Sequence, residues 1–179
     1  MGSAANLSLG AINRMDRLAF VEAFGEVYEH SPWVAECALA KRPFENRAAL
    51  VAAMQAVVTA APRQAQLALI RAHPDLAGQE AVAGRMSPHS TGEQARLGLD
   101  RLGRAEFGRI GALNRRYRER HRMPCIVALK LHASRDSVLA EMERRAGNDT
   151  EAEIALALEQ IGHIARHRLE QMIRPVAEL

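Results

Sequence analysis

Long apolar runs, aromatic residues and cysteines are scarce in this chain of 179 residues. No stretch approaches the roughly 20 apolar residues that a membrane-spanning helix needs, so we expect no membrane span. The first residues lack a basic segment followed by an apolar one, which argues against a secretory signal. Two isolated cysteines, Cys37 and Cys125, make neither a disulfide framework nor a zinc motif. They indicate buried thiols in a reducing cytoplasm.

Signatures of common catalytic and metal sites are missing as well. There is no Gly-rich phosphate loop, no G-x-S-x-G motif and no dinucleotide-binding fingerprint. His163 and His167 stand four residues apart, where both could ligate a metal from one helix face. However, the glutamate of H-E-x-x-H and an acidic third ligand are absent. We therefore expect no metal site.

Helical periodicity dominates what is present. Apolar residues make up 48% and charged residues 25% of the chain, which is the balance of a soluble globular protein. The net charge of +3 suits an anionic small molecule or an ordinary soluble surface. The length fits one domain. The sequence therefore predicts an all-α fold, a single compact domain of about eight helices over residues 1–179 with its core at about 7–173.

Capping residues, prolines and glycines predict the helix boundaries. Six predicted helices have both ends defined: Asp16 to about Glu29, Pro32 to about Lys41, Pro62 to His73, Arg104 to Arg122, Asp136 to about Ala146 and Thr150 to Arg174. Two more are predicted to begin at Asn46 and near Thr91. The apolar run 125–129 is predicted to be a buried extended segment, because a lone strand would have no partner.

A loop-like stretch at residues 74–90 contains two prolines and two glycines, and chemically active side chains lie at its two ends. His73 closes one helix, and Glu93 follows in the next helix, twenty residues later. Pro74 biases His73 away from helical geometry. Long loops inside compact domains tend to be functional. An imidazole and a carboxylate held at facing helix ends can move protons at neutral pH.

Each of these residues also has a purely structural interpretation. A histidine at a helix C-terminus is favoured by the helix dipole. Ser90-x-x-Glu93 matches a capping box, in which the glutamate folds back onto the N-cap amide. A different function, a helical nucleic-acid-binding or regulatory module, would use the arginine-rich segment Arg115–Arg122. That run distributes around its helix, which favours a solvated helix end.

Several motifs together resemble the OHCU decarboxylase family, where OHCU is 2-oxo-4-hydroxy-4-carboxy-5-ureidoimidazoline. The resemblance covers about Leu7 to Met172. Its motifs are 24–35, His73-Pro-Asp-Leu-Ala-Gly78, Ser90-x-x-Glu93-Gln94, Asn114-x-x-Tyr117-Arg118-x-Arg120, Pro124-x-Ile126-Val127-x-x-Lys130, 148–153 and Ile164-x-x-x-Arg168-Leu169. One position departs from the pattern. Cys125 stands where the family commonly has an aromatic residue, and we interpret it as a packing change.

The resemblance implies an all-α homodimer in the cytoplasm that forms (S)-allantoin by decarboxylation without a cofactor. It also implies a functional link to urate oxidase and hydroxyisourate hydrolase, and no binding of nucleic acid or membranes. It assigns His73 and Glu93 as the catalytic pair, and Pro74, Ser90, Gln94 and Arg168 as substrate-binding residues, Arg168 for an anionic group. Arg166, two positions away from Arg168, points to another helix face.

Overall fold

Helices make up most of the computed structural model, which describes residues 7–78, 81, 83–84 and 86–174. Nine α-helices lie wholly within those residues, which contain no sheet, so the all-α prediction is confirmed. They are α1 (Leu9–Arg14), α2 (Arg17–Phe24), α3 (Trp33–Ala38), α4 (Arg47–Ala60), α5 (Arg63–Ala72), α6 (Pro88–Arg96), α7 (Arg104–His121), α8 (Arg135–Arg145) and α9 (Thr150–Met172). Short 3-10 helices lie at Leu39–Lys41 and Leu129–Leu131.

The chain divides into two compact units. The first comprises Met1–Leu69 and Ala165–Leu179, and the second comprises Ile70–Ile164. The expectation of one domain over residues 1–179 stays a prediction. None of the helices in the described part of the chain has the length and apolar composition that crossing a membrane requires.

Aromatic side chains lie at the centre of the first unit. Phe20 and Phe24 of α2 are fully buried with ring centroids 4.8 Å apart, and the Phe44 ring lies 6.2 Å from that of Phe20. Helix α3 packs against both α2 and α4. Burying each large apolar side chain contributes about 1.5–3 kcal/mol, so these contacts stabilise the unit.

A short parallel bridge in the first unit pairs Leu7 with Ile173. The Leu7 amide donates to the Met172 carbonyl at 2.8 Å, and the Arg174 amide donates to the Leu7 carbonyl at 3.0 Å. These bonds give partners to the Met172 carbonyl in the last turn of α9 and to the Arg174 amide just after it.

A buried ionic network lies in the second unit. The Arg145 and Glu153 side chains are both fully buried, and Arg145 Nε donates to Glu153 Oε2 at 2.9 Å. Tyr117 donates its hydroxyl to the same oxygen, and Asn148 donates to Oε1 at 2.6 Å. Arg145 Nη1 also donates to the Ile126 carbonyl at 2.5 Å. The network therefore connects α7, α8 and α9 to the extended segment before Leu129.

Burial opposes the charge on Glu153, but hydrogen bonds from Arg145 and Tyr117 outweigh it and hold the pKa of Glu153 below its usual 4.5. Burial raises the pKa of the Tyr117 hydroxyl, and the bond to Glu153 adds to that effect. The carboxylate is therefore charged and the phenol neutral at pH 7. An ion pair can remain buried when its charges are hydrogen-bonded in this way.

Several predicted boundaries are correct, because they depend on local signals. Asp16 and Asn46 cap α2 and α4, accepting from Ala19 N and Ala49 N at 2.8 Å each. The helix after Gly103 spans Arg104–His121, and the last helix begins at Thr150. The apolar run 125–129 is buried as expected, and residues 125–128 are non-helical, but Leu129 begins a 3-10 helix and is not part of the extended segment.

Other boundaries were predicted wrongly. Helix α1 was missed, since one buried residue, Ile12, in six leaves little periodic signal. Helix α2 ends at Phe24 and not near Glu29, and Gly25 forms its C-cap, with the Gly25 amide donating to the Val21 carbonyl at 2.7 Å. Helix α8 is capped by Ser134 instead of Asp136. Cys125 is buried as expected, whereas Cys37 is exposed.

Candidate active site

His73 lies at the point where α5 stops. The helix ends at Ala72, the His73 amide donates to the Ile70 carbonyl at 3.2 Å, and the side chain is only 6% exposed. The following Pro74 disfavours helical geometry at His73, so the end of the helix follows from the sequence. The imidazole is thus held at a helix end inside the second unit, as predicted.

The segment after His73 has an unusual backbone. Ala77 has a φ of 46°, in the left-handed region that residues with a Cβ adopt at a cost. Gln94 of α6 holds it there: the Ala77 amide donates to Gln94 Oε1 at 2.8 Å, and Gln94 Nε2 lies 3.5 Å from the Asp75 carbonyl oxygen. The contact joins α6 to the loop that begins at His73.

The capping-box interpretation of Ser90 and Glu93 is wrong. Helix α6 begins at Pro88, and its N-cap is Ser87, whose hydroxyl accepts the Ser90 amide at 3.2 Å. Pro88 at the first helical position explains the earlier start. Ser90 is therefore a helical residue, and Glu93 lies too far along α6 to return to the N-cap amide. Capping does not account for this carboxylate.

Ser90, Glu93 and Gln94 share one face of α6, because residues three and four apart are neighbours on a helix. Ser90 and Gln94 are buried, and Glu93 is half-buried. The oxygen and the nitrogen of the Gln94 amide both contact the loop. The sequence predicts substrate binding for this residue and gives no sign of these loop contacts. Its contact with substrate stays a prediction.

Two residues without an assigned role also contact the loop. Asn114 Nδ2 donates to the Leu76 carbonyl at 2.9 Å, and Arg118 Nε donates to Asp75 Oδ2 at 2.7 Å. The four-residue spacing places both on one face of α7. The only sequence signal was the Asn114-x-x-Tyr117-Arg118 motif of the resemblance, which carried no chemistry of its own.

A cavity of about 290 Å³ adjoins the same loop. Ala77 and Gln94 contribute to its wall, together with Met86, Thr91, Leu99 and Phe107. Its size matches the lower end of small-molecule sites. The wall is largely apolar, so polar recognition within it falls to a few groups such as Gln94.

Arg168 belongs to the first unit, where it is 1% exposed. Its Nη1 donates to Glu29 Oε2 at 3.0 Å and to the Val27 carbonyl at 3.3 Å. Arg166, by contrast, is exposed. The two arginines therefore differ in burial. Substrate binding by Arg168 stays a prediction.

The segment 125–128 is buried, and Cys125 takes part in its packing. Burial raises the pKa of the Cys125 thiol to about 12, so the thiol is neutral at physiological pH. A neutral buried thiol behaves as a small apolar group. This agrees with interpreting Cys125 as a packing change.

The described residues contain no group of three or more His, Cys, Asp or Glu side chains placed to hold a metal. His163 instead lies 3.7 Å from Glu159 on the exposed side of α9. In the arginine-rich run, Arg118 pairs with Asp75, and Arg120 donates to the Asn148 carbonyl at 3.0 Å. Contacts within the chain thus engage part of that run.

Comparison with known proteins gives a consistent family match. A sequence model described as OHCU decarboxylase matches residues 13–170. The 2-oxo-4-hydroxy-4-carboxy-5-ureidoimidazoline decarboxylase of Haloferax volcanii is 42% identical over 165 residues, which is 92% of this chain and 95% of that protein. The uric acid degradation bifunctional protein PucL of Bacillus subtilis is 35% identical over 93% of this chain, which corresponds to 33% of that longer protein.

A crystal structure of (S)-allantoin synthase has a similar fold, with a TM-score of 0.73 and 30% sequence identity. The match covers 93% of this chain and 54% of the solved one. This chain therefore spans about half the length of that solved chain.

Proposed function

This chain belongs to the OHCU decarboxylase family, and from that membership we infer that it converts OHCU to (S)-allantoin in urate breakdown. It is therefore a carboxy-lyase. Relatives named for uric acid degradation support this assignment. The residues that carry out the reaction are our proposal, argued below from the chemistry of the substrate and the geometry of the loop at His73.

The substrate can accept its own electrons. When the C4–carboxylate bond breaks, carbon dioxide leaves and the electron pair forms a C4–C5 double bond, while the ring C=N electrons move onto nitrogen. That nitrogen takes up the one proton that the overall reaction consumes. The C4 hydroxyl then loses its proton as the carbonyl forms, and C5 gains a proton from one face. An external electron sink, which a cofactor often supplies, is unnecessary in this scheme. The protein must orient the carboxylate, stabilise the charge and direct the protons.

His73 acts in this proposal as the acid–base group that exchanges a proton with the C4 hydroxyl or the ring. An imidazole is the side chain best suited to proton transfer near neutral pH. Burial of His73 at the end of α5 keeps the ring in one place and limits its contact with water. Glu93 orients the imidazole or accepts a ureido N–H.

One observation carries this proposal: hydrogen bonds join Gln94 of α6 to Ala77 and Asp75 in the loop that begins at His73. Glu93 directly precedes Gln94 in α6, and the cap of this helix is Ser87 and not Ser90. The imidazole and the carboxylate thus come from two segments that hydrogen bonds connect, as a shared role in catalysis requires.

The remaining assigned residues bind the substrate. Ser90 and Gln94 offer neutral hydrogen bonds to ureido and ring groups, and Pro74 contributes apolar surface. Arg168 binds an anionic group through its forked donors, a role that rests on the family resemblance.

Partners and location follow from the same resemblance. The chain acts as a cytoplasmic homodimer without a cofactor, and it receives its substrate from urate oxidase and hydroxyisourate hydrolase. Sedimentation of the purified protein would then give twice the 19.7 kDa mass of one chain. A single-chain mass at micromolar concentration would contradict the dimer.

The geometry does not favour the alternative of a nucleic-acid-binding module. Arg118 and Arg120 of the arginine-rich run are engaged with Asp75 and the Asn148 carbonyl. Binding through that run predicts an affinity that falls steeply with salt. A decarboxylase is indifferent to added DNA.

The test generates OHCU from urate with the two upstream enzymes and follows chiral allantoin by circular dichroism. With wild-type protein we expect a lasting signal, because spontaneous decay gives a racemic product. We expect His73→Ala and His73→Asn to lower kcat by at least ~100-fold while the far-ultraviolet spectrum stays unchanged. Turnover of His73→Ala at the wild-type rate would refute the assignment.

His163→Asn is the matched control. It removes an exposed histidine of α9 whose described partner is Glu159, 3.7 Å away. We expect full activity. Full activity would also show that the reaction needs no metal held by His163. Loss of activity in both histidine variants would point to a general effect of histidine replacement.

A further inference from the structure

We propose that Asn114 and Arg118 are positioning residues for the decarboxylation, holding from α7 the loop that fixes His73. The proposal rests on the catalytic role proposed for His73. Neither residue has a role in the mechanism above, although both belong to a motif that the sequence singles out.

The contacts of the two residues are direct and complementary. Asn114 is 7% exposed, and its Nδ2 donates to the Leu76 carbonyl at 2.9 Å. Arg118 forms a charge-assisted bond of 2.7 Å with Asp75 Oδ2. Because they lie four residues apart, the two side chains reach adjacent loop residues from one helix face. One rigid element therefore holds two consecutive positions.

The loop needs such support, because its backbone is strained. Ala77 adopts a φ of 46°, a left-handed conformation that is unfavourable for a residue with a Cβ. A strained conformation persists only where its surroundings determine it fully. Here three consecutive residues are each held by a different side chain: Asp75 by Arg118, Leu76 by Asn114 and Ala77 by Gln94.

Restraint of this loop acts on His73 through the chain. Asp75 is two residues after His73, and Pro74 between them has a fixed φ, so movement of Asp75 is transmitted to the imidazole. A displacement of about 1 Å at a reacting group can lower the rate by ~100-fold. The polar substrate contacts proposed for Ser90, Gln94 and Arg168 come from outside this loop, so the main effect belongs on kcat and not on KM.

The first arm of the test measures kcat and KM in the circular-dichroism assay for Asn114→Leu, Arg118→Met and Arg118→Lys. We expect kcat to fall ~10-fold or more in the Leu and Met variants, with KM changed less than ~3-fold. Arg118→Lys keeps a cation for Asp75, and we expect it to recover part of the lost kcat.

The matched control is Arg109→Met. Arg109 lies on the same helix and forms an ion pair of the same 2.7 Å length, but with Glu143 of α8. The control removes one arginine and one ion pair from α7 without touching the loop. We expect its kcat to equal that of wild type.

The second arm observes His73 without using activity. In protein labelled with 15N-histidine, the His73 ring signals are assigned by their loss in His73→Asn. We expect them to shift in Asn114→Leu and Arg118→Met and to stay in place in Arg109→Met.

The two arms separate failure of this inference from failure of the proposed function. If wild-type protein does not turn over OHCU, the function fails, and the ring signals still decide whether the loop contacts position His73. If wild type is active but both variants keep its kcat and ring signals, the inference is overturned. It is also overturned if Arg109→Met loses as much kcat as Arg118→Met. Should Asn114→Leu fail to fold, Arg118→Met and Asp75→Asn decide, because that ion pair is partly exposed.

Discussion

The residue that caps α6 differs from the residue of α6 to which we assign a catalytic role. Ser87 caps the helix, and Glu93 lies in its interior on the face that carries Gln94. We therefore expect Ser87→Ala to lower the free energy of unfolding by about 1 kcal/mol and to retain most of kcat. Glu93→Gln should retain stability and lose at least ~100-fold in kcat. Urea unfolding combined with the allantoin assay measures both quantities.

The reverse pattern would restore the capping box. A Glu93→Gln variant that unfolds at lower urea but turns over normally would mean that the carboxylate supports the helix. Ser87→Ala provides the comparison within the same helix, since its loss of stability shows what a lost cap costs here.

The left-handed backbone at Ala77 gives a second prediction at the residue scale. Ala77→Gly removes strain of about 1 kcal/mol, but the glycine gains about 0.4–1 kcal/mol of chain entropy in the unfolded state. We expect the free energy of unfolding to change by less than ~0.5 kcal/mol. Ala52→Gly in exposed helical backbone of α4 should cost about 1 kcal/mol. Equal losses in the two variants would show that Ala77 is not strained in solution.

The end of α7 gives a prediction at the scale of the element. Arg122 closes this helix with a φ of 58°, and it is exposed. Glycine favours that position, so we expect Arg122→Gly to raise stability by about 0.5 kcal/mol after its greater unfolded-state entropy is counted. The Arg71 bond to the Arg122 carbonyl involves backbone and is kept.

Arg116→Gly is the opposite case on the same helix. It places glycine at an exposed interior position, where the cost is about 1 kcal/mol. Thermal unfolding of the two variants should therefore move in opposite directions. A fall in melting temperature for both would indicate that the Arg122 side chain makes a contribution that outweighs its backbone conformation.

The elements that sequence predicts well are those that local signals define. Asp16 and Asn46 cap their helices by accepting from a backbone amide three residues later. This contact is local in sequence, so the sequence predicts it. Ser87 and Ser90 show where that logic stops, since both serines have the right chemistry. The choice of Ser87 depends on Pro88, whose fixed φ suits the first helical position.

Contacts distant in sequence account for what was not predicted. Asn114 and Leu76 are 38 residues apart, and Arg168 and Glu29 are 139 residues apart. No periodicity in the sequence identifies such partners. The family resemblance supplied candidate residues for the site, but it did not indicate that Gln94 and Asn114 would hold the loop after His73.

For the whole molecule, buried ionisable groups predict weakening in acid. Burial lowers the pKa of His121 below its ordinary 6.5, and hydrogen bonds lower that of Glu153 below 4.5 despite its burial. In both cases the unfolded chain binds a proton at a pH where the folded chain does not. Stability therefore falls as the pH drops below about 6.5 and falls further below about 4.5.

Urea midpoints between pH 7.5 and 4 measure this dependence. We expect His121→Gln to flatten the curve below pH 6.5, because the variant has no imidazole to protonate on unfolding. An unchanged slope in that pH range would assign the effect to other histidines.

Glu153→Gln should lower the free energy of unfolding by about 3–5 kcal/mol at pH 7, because it leaves the Arg145 charge buried without its partner.

The bridge between Leu7 and Ile173 links the fraying of two distant stretches of chain. The Leu7 carbonyl accepts from the Arg174 amide, and the Leu7 amide donates to the Met172 carbonyl. Local unfolding of either stretch therefore breaks hydrogen bonds that the other stretch also makes. The amide protons of Leu7 and Arg174 should then exchange with solvent deuterium in a single shared opening event.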